Sequence, residues 1–271
     1  MFCAAQARVM PLVRNETPLA SALAAQGLDW IVPEWPAPTR VHALSTTRNG
    51  QAARLIDFAA SAPHVASGRE LLRSLVPDEP VWLRQVHGTT IADLDAAFGG
   101  FAADGSVTRT PGTVCAVLTA DCLPVLFADR ESRVVAAAHA GWRGLAAGVI
   151  EAAVAALRID PASVLAWLGP AIGPRAFEVG SEVVAAFCDP DPGAAECFVP
   201  RTKMSASISA TMKWNADLYA LARRKLARAG VSAVYGGGRC TLSESECFHS
   251  YRRDGSGASG RMATVIWLGS Q

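Results

Sequence analysis

The sequence carries no excess of charge: 25 lysines and arginines face 24 aspartates and glutamates, for a net charge of +1. No global field draws it to nucleic acid or an anionic membrane, so an anionic substrate must be held by a few local arginines. Long apolar runs are missing too. The most apolar stretches, Thr113 to Phe127 and Val134 to His139, are cut by Asp121, Pro124 and charged flanks, well short of the roughly 20 residues a spanning helix needs. There is no CxxC pair, and the seven cysteines are an odd number in a chain large enough to fold without staples, so reduced thiols are expected. The first positive charge follows the N-terminal apolar residues, the reverse of a secretory signal, which makes the cytoplasm the expected address. With no fixed-period repeat and no long linker, one domain over 28–271 is expected, preceded by an alanine-rich extension or peripheral helix over 1–27.

What is present is a core-forming composition, 51% hydrophobic and 18% charged, in a mixed pattern of elements. Val41–Thr47 is β-rich and closes at the turn Arg48–Gly50. Apolar spacing over 67–76 predicts a helix stopped by Pro77, and Val81–Val86 reads as a strand ending at His87. Thr113–Ala120, Pro124–Ala128 and Val134–Ala138 read as three short buried strands, neighbours in one sheet. A helix is expected over Leu145–Leu157, a strand over Val164–Leu168, and a helix over Ser181–Phe187 begun by a capping serine. Residues 188–212 read as loop. The clearest amphipathic helix spans Asn215–Ala229, and Ser232–Tyr235 and Met262–Leu268 read as closing strands, the last behind the glycine-rich stretch 255–260. The fold class is α+β, with mixed sheets covered by helices.

His87, Cys122 and His139 each stand where a predicted strand meets a turn, from which a side chain projects into a cleft. A His/Cys/His set offers zinc three ligands and leaves a fourth position free, as in catalytic sites, and bound water there has a pKa of roughly 7. The alternative from the residues alone is a buried cysteine with hydrogen-bonded histidines and no metal. Asp121 either orients a ligand or caps turn amides. Cys240 and Cys247, with His249 nearby, have poor ligand spacing and read as packing. Trp142 reads as a wall of core or pocket.

Several motifs in order carry a resemblance: Trp82-Leu-Arg-Gln-Val-His-Gly88, Asp104-Gly-Ser-Val-Thr108, Leu118-Thr-Ala-Asp-Cys-Leu-Pro-Val125, Ala138-His-Ala-Gly-Trp-Arg-Gly144 and Leu168-Gly-Pro-Ala-Ile-Gly173, then Ser250-Tyr-Arg-Arg-Asp254 and Gly260-Arg261. Over about Gly27 to Leu268 the chain resembles the YfiH-like family, whose members carry the names laccase-domain protein, polyphenol oxidoreductase and purine nucleoside phosphorylase. The resemblance refines the fold to a layered α/β/β/α sandwich and implies that His87, Cys122 and His139 are metal ligands, for zinc or for copper, with availability deciding between them. The motif context also raises Arg48, Arg143 and Arg252 as a phosphate clamp, because guanidinium forks match phosphate oxygens. Cys122, Asp121, Arg48 and Arg143 are the candidate catalytic residues, and Gln85, Asp104 and Arg252 the candidates for holding substrate. The chain departs from the family pattern in Gln51–Arg69, which lacks a second glycine and an asparagine-bearing stretch and is shortened.

The implied activity is phosphorolysis of purine nucleosides (adenosine, inosine, methylthioadenosine) by a metal-dependent enzyme, with adenosine deamination in the same site. Nucleoside and phosphate are the expected partners. Two other enzyme classes compete, beside a noncatalytic zinc-bearing interaction module with a closed fourth coordination position. A copper oxidase of polyphenols needs several coppers, and five histidines, of which His42 and His64 have no motif support, are too few for a multicopper cluster. A cysteine hydrolase, such as a peptidoglycan-editing amidase, would use Cys122 as nucleophile and His139 as base.

Overall fold

Alternating apolar side chains on consecutive strands fill two different cores, and this stacks the chain in layers. The computed structural model describes residues 18–49, 57–58, 65–96, 100, 102–201, 212–255 and 259–270. Within them the strands are β1 (Val41–Ser45), β2 (Ile91–Asp93), β3 (Gly105–Thr108), β4 (Cys115–Thr119), β5 (Leu123–Asp129), β6 (Val135–Ala140), β7 (Val164–Leu168), β8 (Glu178–Val179), β9 (Phe198–Arg201), β10 (Lys213–Ala216), β11 (Ala233–Gly236) and β12 (Met262–Leu268). The helices are α1 (Pro18–Ala25), α2 (Val65–Arg73), α3 (Trp142–Ala147), α4 (Val149–Leu157), α5 (Ser181–Cys188), α6 (Leu218–Arg228) and the single turn α7 (Tyr251–Asp254).

A six-stranded mixed sheet runs β11-β7-β5-β6-β3-β2, and an antiparallel sheet β1-β12-β4 packs on one of its faces. On β5, Leu123, Val125 and Phe127 point to a core shared with Ile150 and Leu157 of α4 and Leu221 and Leu226 of α6, while Leu126 and Ala128 point the other way. These two meet Cys115 and Val117 of β4 and Ile266 and Leu268 of β12, forming the layer between the sheets. The outer face of the smaller sheet, with Ala116, Ala263, Val265 and Trp267, is covered by Leu23 of α1 and Leu72 of α2. The order is therefore helix, sheet, sheet, helix. β5, β6, β7 and β12 are buried along their whole length, which is why they read as continuous apolar runs. A third sheet, β8-β10-β9, stands apart.

Several elements differ from expectation for identifiable reasons. β4 is not in the sheet of β5 and β6; the turn between β4 and β5 carries the chain from one sheet to the other. Val81–Val86 makes only isolated parallel bridges, Val81 to Cys115 and Arg84 to Ala102. In place of further backbone pairing, the Gln85 side-chain amide donates to the Leu118 carbonyl and accepts from the Leu118 N–H, both at 2.8 Å. The expected helix over 145–157 is broken at Gly148, whose φ of 105° ends α3 and begins α4. Gly180, rather than Ser181, stands at the cap of α5. The segment 188–212 contains a 3-10 turn and β9. Its end pairs as β10, so the amphipathic helix starts only at Leu218, where the Asp217 carboxylate accepts the Ala220 N–H. Most of the departure at Gln51–Arg69 lies outside the described residues, as does His64.

Candidate metal centre

Residues 135, 137 and 139 share one face of β6 by the two-residue period of a strand, and Val135 and Ala137 belong to the layer between the sheets. His139 therefore projects from the end of β6 at the end of that layer, where the turn from β4 to β5 carries Cys122. His87 arrives on the turn after the Gln85 segment. Together the three place one ligand atom each within 4.8 Å of one another. The imidazole rings meet edge to face at 4.8 Å between centroids, and Cys122 Sγ lies 3.8 Å from His87 Nε2.

The two turns that carry His87 and Cys122 are conformationally costly, and each is held by a buried aspartate. His87 itself has φ +61°, and Asp121, just before Cys122, has φ +81°, a region L-residues seldom adopt outside constrained sites. Asp104 is fully buried. Its carboxylate accepts the backbone N–H of Val86, His87 and Gly88 at 3.1, 2.8 and 2.6 Å, clamping the first turn. The same carboxylate lies 2.8 Å from His139 Nδ1, which leaves Nε2 to the cluster, the usual support of a metal-binding imidazole. Asp121 plays the matching part on the second turn: it accepts the hydroxyls of Thr241 and Ser250 at 2.5 and 3.0 Å and the Arg252 N–H at 2.6 Å.

Glycines admit this packing. A Cβ on Gly141 would meet His87 Cδ2 at 2.8 Å and Cys122 Sγ at 3.0 Å, and one on Gly144 would meet the Gly88 carbonyl at 2.8 Å. The motif Gly141-Trp-Arg-Gly144 is thus a consequence of how closely α3 approaches the ligands.

The electrostatics favour a soft cation. Burial pushes the Cys122 thiol up, but contact with His139 and His87 outweighs it and brings the thiol down to about 6, so it is a thiolate at neutral pH. Burial alone would lower His139; its hydrogen bonds to Asp104 and Cys122 carry it instead to about 9. Two imidazoles and a thiolate within reach of one atom, with one imidazole fixed by a carboxylate and no Cβ at Gly141 to crowd them, fit zinc or copper(I).

The cluster opens on a cavity of about 500 Å³ lined also by Gln85, Arg143, Tyr251 and Arg261. Of the sequence candidates, Arg143 lines it, its guanidinium 4.4 Å over the Trp142 ring. Arg48 and Arg252 do not. Arg48 donates to the carbonyl of Ser245 at 2.8 Å, and Arg252 donates to the carbonyl of Glu178 at 3.1 Å with its guanidinium over Phe177. Asp104 lies behind the ligands rather than on the cavity wall, and Gln85 lines the cavity while its amide is spent on Leu118. Tyr251, 49% exposed, and Arg261 were not singled out by residue type; the signal for both was their place in the C-terminal motifs. Cys240 Sγ accepts the Gly173 N–H at 3.2 Å.

Known proteins resemble this chain over most of its length. A purine nucleoside phosphorylase, YfiH, of Escherichia coli strain K12 is 48% identical over 249 residues, spanning 88% of this chain and 98% of the relative. A Neisseria meningitidis protein of known crystal structure superposes with a TM-score of 0.80 at 47% identity, over 89% of this chain and 100% of that one. A Bacillus licheniformis protein, YfiH, gives a TM-score of 0.73 at 28% identity over 84% of this chain and 92% of that one. The model of the family described as multi-copper polyphenol oxidoreductase laccase matches residues 46–269, a span that contains His87, Cys122 and His139 and both aspartate-clamped turns, and the chain belongs to that family.

Proposed function

We propose that the protein is a metal-dependent purine nucleoside phosphorylase acting on adenosine, inosine and methylthioadenosine, with adenosine deamination in the same cavity. The observation that carries the reading is the His87–Cys122–His139 cluster opening on a cavity that also holds arginine; the name carried by the E. coli relative points the same way. His87, Cys122 and His139 are assigned to the metal, zinc or copper, which when bound supplies a Lewis acid and lowers the pKa of water. The chain's own groups do the rest. Arg143 supplies fixed positive charge where phosphate and the departing base carry negative charge, Tyr251 offers an aromatic face to a planar base, and Gln85 shapes the wall. Asp121, Arg48 and Arg252 hold the loops that frame the cavity.

The test is chromatography of adenosine, inosine and methylthioadenosine incubated with metal-quantified protein, with and without phosphate, beside Cys122→Ala. Phosphate-dependent release of free base, and inosine formed from adenosine, both lost in the variant, are the expected results. Inert nucleosides with metal fully bound would defeat the reading.

A second reading has a specific observation behind it. Asp104, His139 and Cys122 form an acid–imidazole–thiolate series, and the thiolate form of Cys122 suits a nucleophile. A cysteine hydrolase predicts alkylation of Cys122 with loss of activity in metal-free protein, whereas a ligand is protected by zinc. A multicopper oxidase is favoured by no comparable observation: among the described residues one three-donor cluster is formed, and His42 is stacked on Trp267.

A further inference from the structure

We propose that Arg143 and Arg261 together form the anion-holding part of the cavity, the place that takes inorganic phosphate. Naming phosphate rests on the phosphorylase reading; the case for an anion does not. Among the described residues no aspartate or glutamate lines the cavity, whereas two arginines do, in a chain whose net charge is only +1. Neither guanidinium is neutralised by a carboxylate among the described residues. Arg143 stands over the Trp142 ring, its Cζ 4.4 Å from the centroid, a contact that does not cancel its charge. Arg261 donates through Nη1 to the carbonyls of Ser259 and Gly260 at 2.8 and 2.9 Å and to the Ser259 hydroxyl at 3.3 Å. These neutral acceptors fix the side chain without cancelling its charge.

Arg261 is also anchored from behind, its backbone N–H held by Asp57 Oδ1 at 2.8 Å, at the start of β12. A cavity with fixed positive charge and low-dielectric walls concentrates anions, and two guanidinium forks match the oxygens of a phosphate. Because both arginines share the cavity with the His87–Cys122–His139 cluster, an anion held there lies next to whatever the cluster contacts. Arg48 and Arg252, bound to backbone carbonyls outside the cavity, have no part in it.

The experiment is calorimetric titration of inorganic phosphate into metal-loaded wild type, Arg143→Gln, Arg261→Gln and Arg261→Lys, with metal content measured on each, together with separate KM values for phosphate and nucleoside. Each glutamine variant is expected to weaken phosphate binding and raise the phosphate KM by at least about tenfold, the loss of a charged hydrogen bond, with nucleoside KM and metal content little changed. Arg261→Lys, which keeps the charge but not the fork, is expected to retain part of the affinity. Phosphate affinity that follows metal content and ignores both arginines overturns the proposal, even if phosphate-dependent base release shows the phosphorylase reading to be right. Arginine-dependent phosphate binding with no base released supports the anion site and sinks the phosphorylase reading instead.

Discussion

At the scale of single residues, the candidate centre depends on Asp104 as much as on the three proposed ligands. One carboxylate holds three successive amides of the His87 turn and the Nδ1 of His139, so it positions two ligands at once. Asp104→Asn keeps the shape but loses the charge, and it can present a donor where an acceptor is needed. Metal affinity is expected to fall about 10–100-fold, read by competition with a chelator; an affinity equal to wild type would show that the ligands hold themselves. The pH dependence has a definite sign. In the metal-free protein His139, raised to about 9, must lose a proton to solvent before it can bind a metal, and the Cys122 thiol, lowered to about 6, has already lost its own at neutrality. Apparent affinity should therefore climb with pH from neutrality to about 9 and level off, and drop more steeply below about 6 as the thiolate is protonated as well. Affinity independent of pH over that range contradicts this account.

At the scale of elements, the buried strands were the most legible part of the sequence. β5, β6, β7 and β12 announce themselves as apolar runs of strand length, and the start of the site was readable because ligands stand where such runs stop. Three things were not legible. β4 has the same apolar text as β5, and nothing local to either says that they belong to different sheets. Gly148 looks like an ordinary weak helix residue until its φ of 105° is known. Gln85 was read as part of a strand or as a substrate contact, because no sequence signal distinguishes a side-chain amide that pairs with a neighbouring backbone. That pairing is testable. Gln85→Leu removes both bonds to Leu118 and should cost about 1–3 kcal/mol in denaturant unfolding, with faster hydrogen exchange at the Leu118 amide. Unchanged stability and exchange would reduce Gln85 to a wall of the cavity.

At the scale of the molecule, the layered sandwich is what brings the candidate site together. The aspartates that clamp the two turns draw on distant segments: Asp104 precedes β3, and Asp121 reaches Thr241, Ser250 and Arg252 near the C-terminal end. The residue types hinted at a metal; the β5–β6 register sets Cys122 beside His139, but His87 joins them through the Asp104 carboxylate and the Gln85–Leu118 pairing, which no local pattern encodes. This is why motif order, rather than spacing, carried the ligand assignment.

The separate segments that carry the three proposed ligands also bear on when a bound metal would act. A zinc finger gathers its ligands within one short segment, so the ion can nucleate folding; here the β5–β6 pairing sets Cys122 beside His139, but the third donor, His87, arrives on a separate segment held by Asp104 and by the Gln85–Leu118 pairing, so the full set forms late. Metal should therefore leave the refolding rate nearly unchanged while slowing unfolding, the kinetic mark of an interaction formed after the barrier. Stopped-flow traces with and without zinc decide it, and refolding accelerated by the ion would mean that the ligands meet before the sheets do. The metal is on this view a latch on a finished structure, and its loss would leave a chain that still folds but no longer stays folded as long.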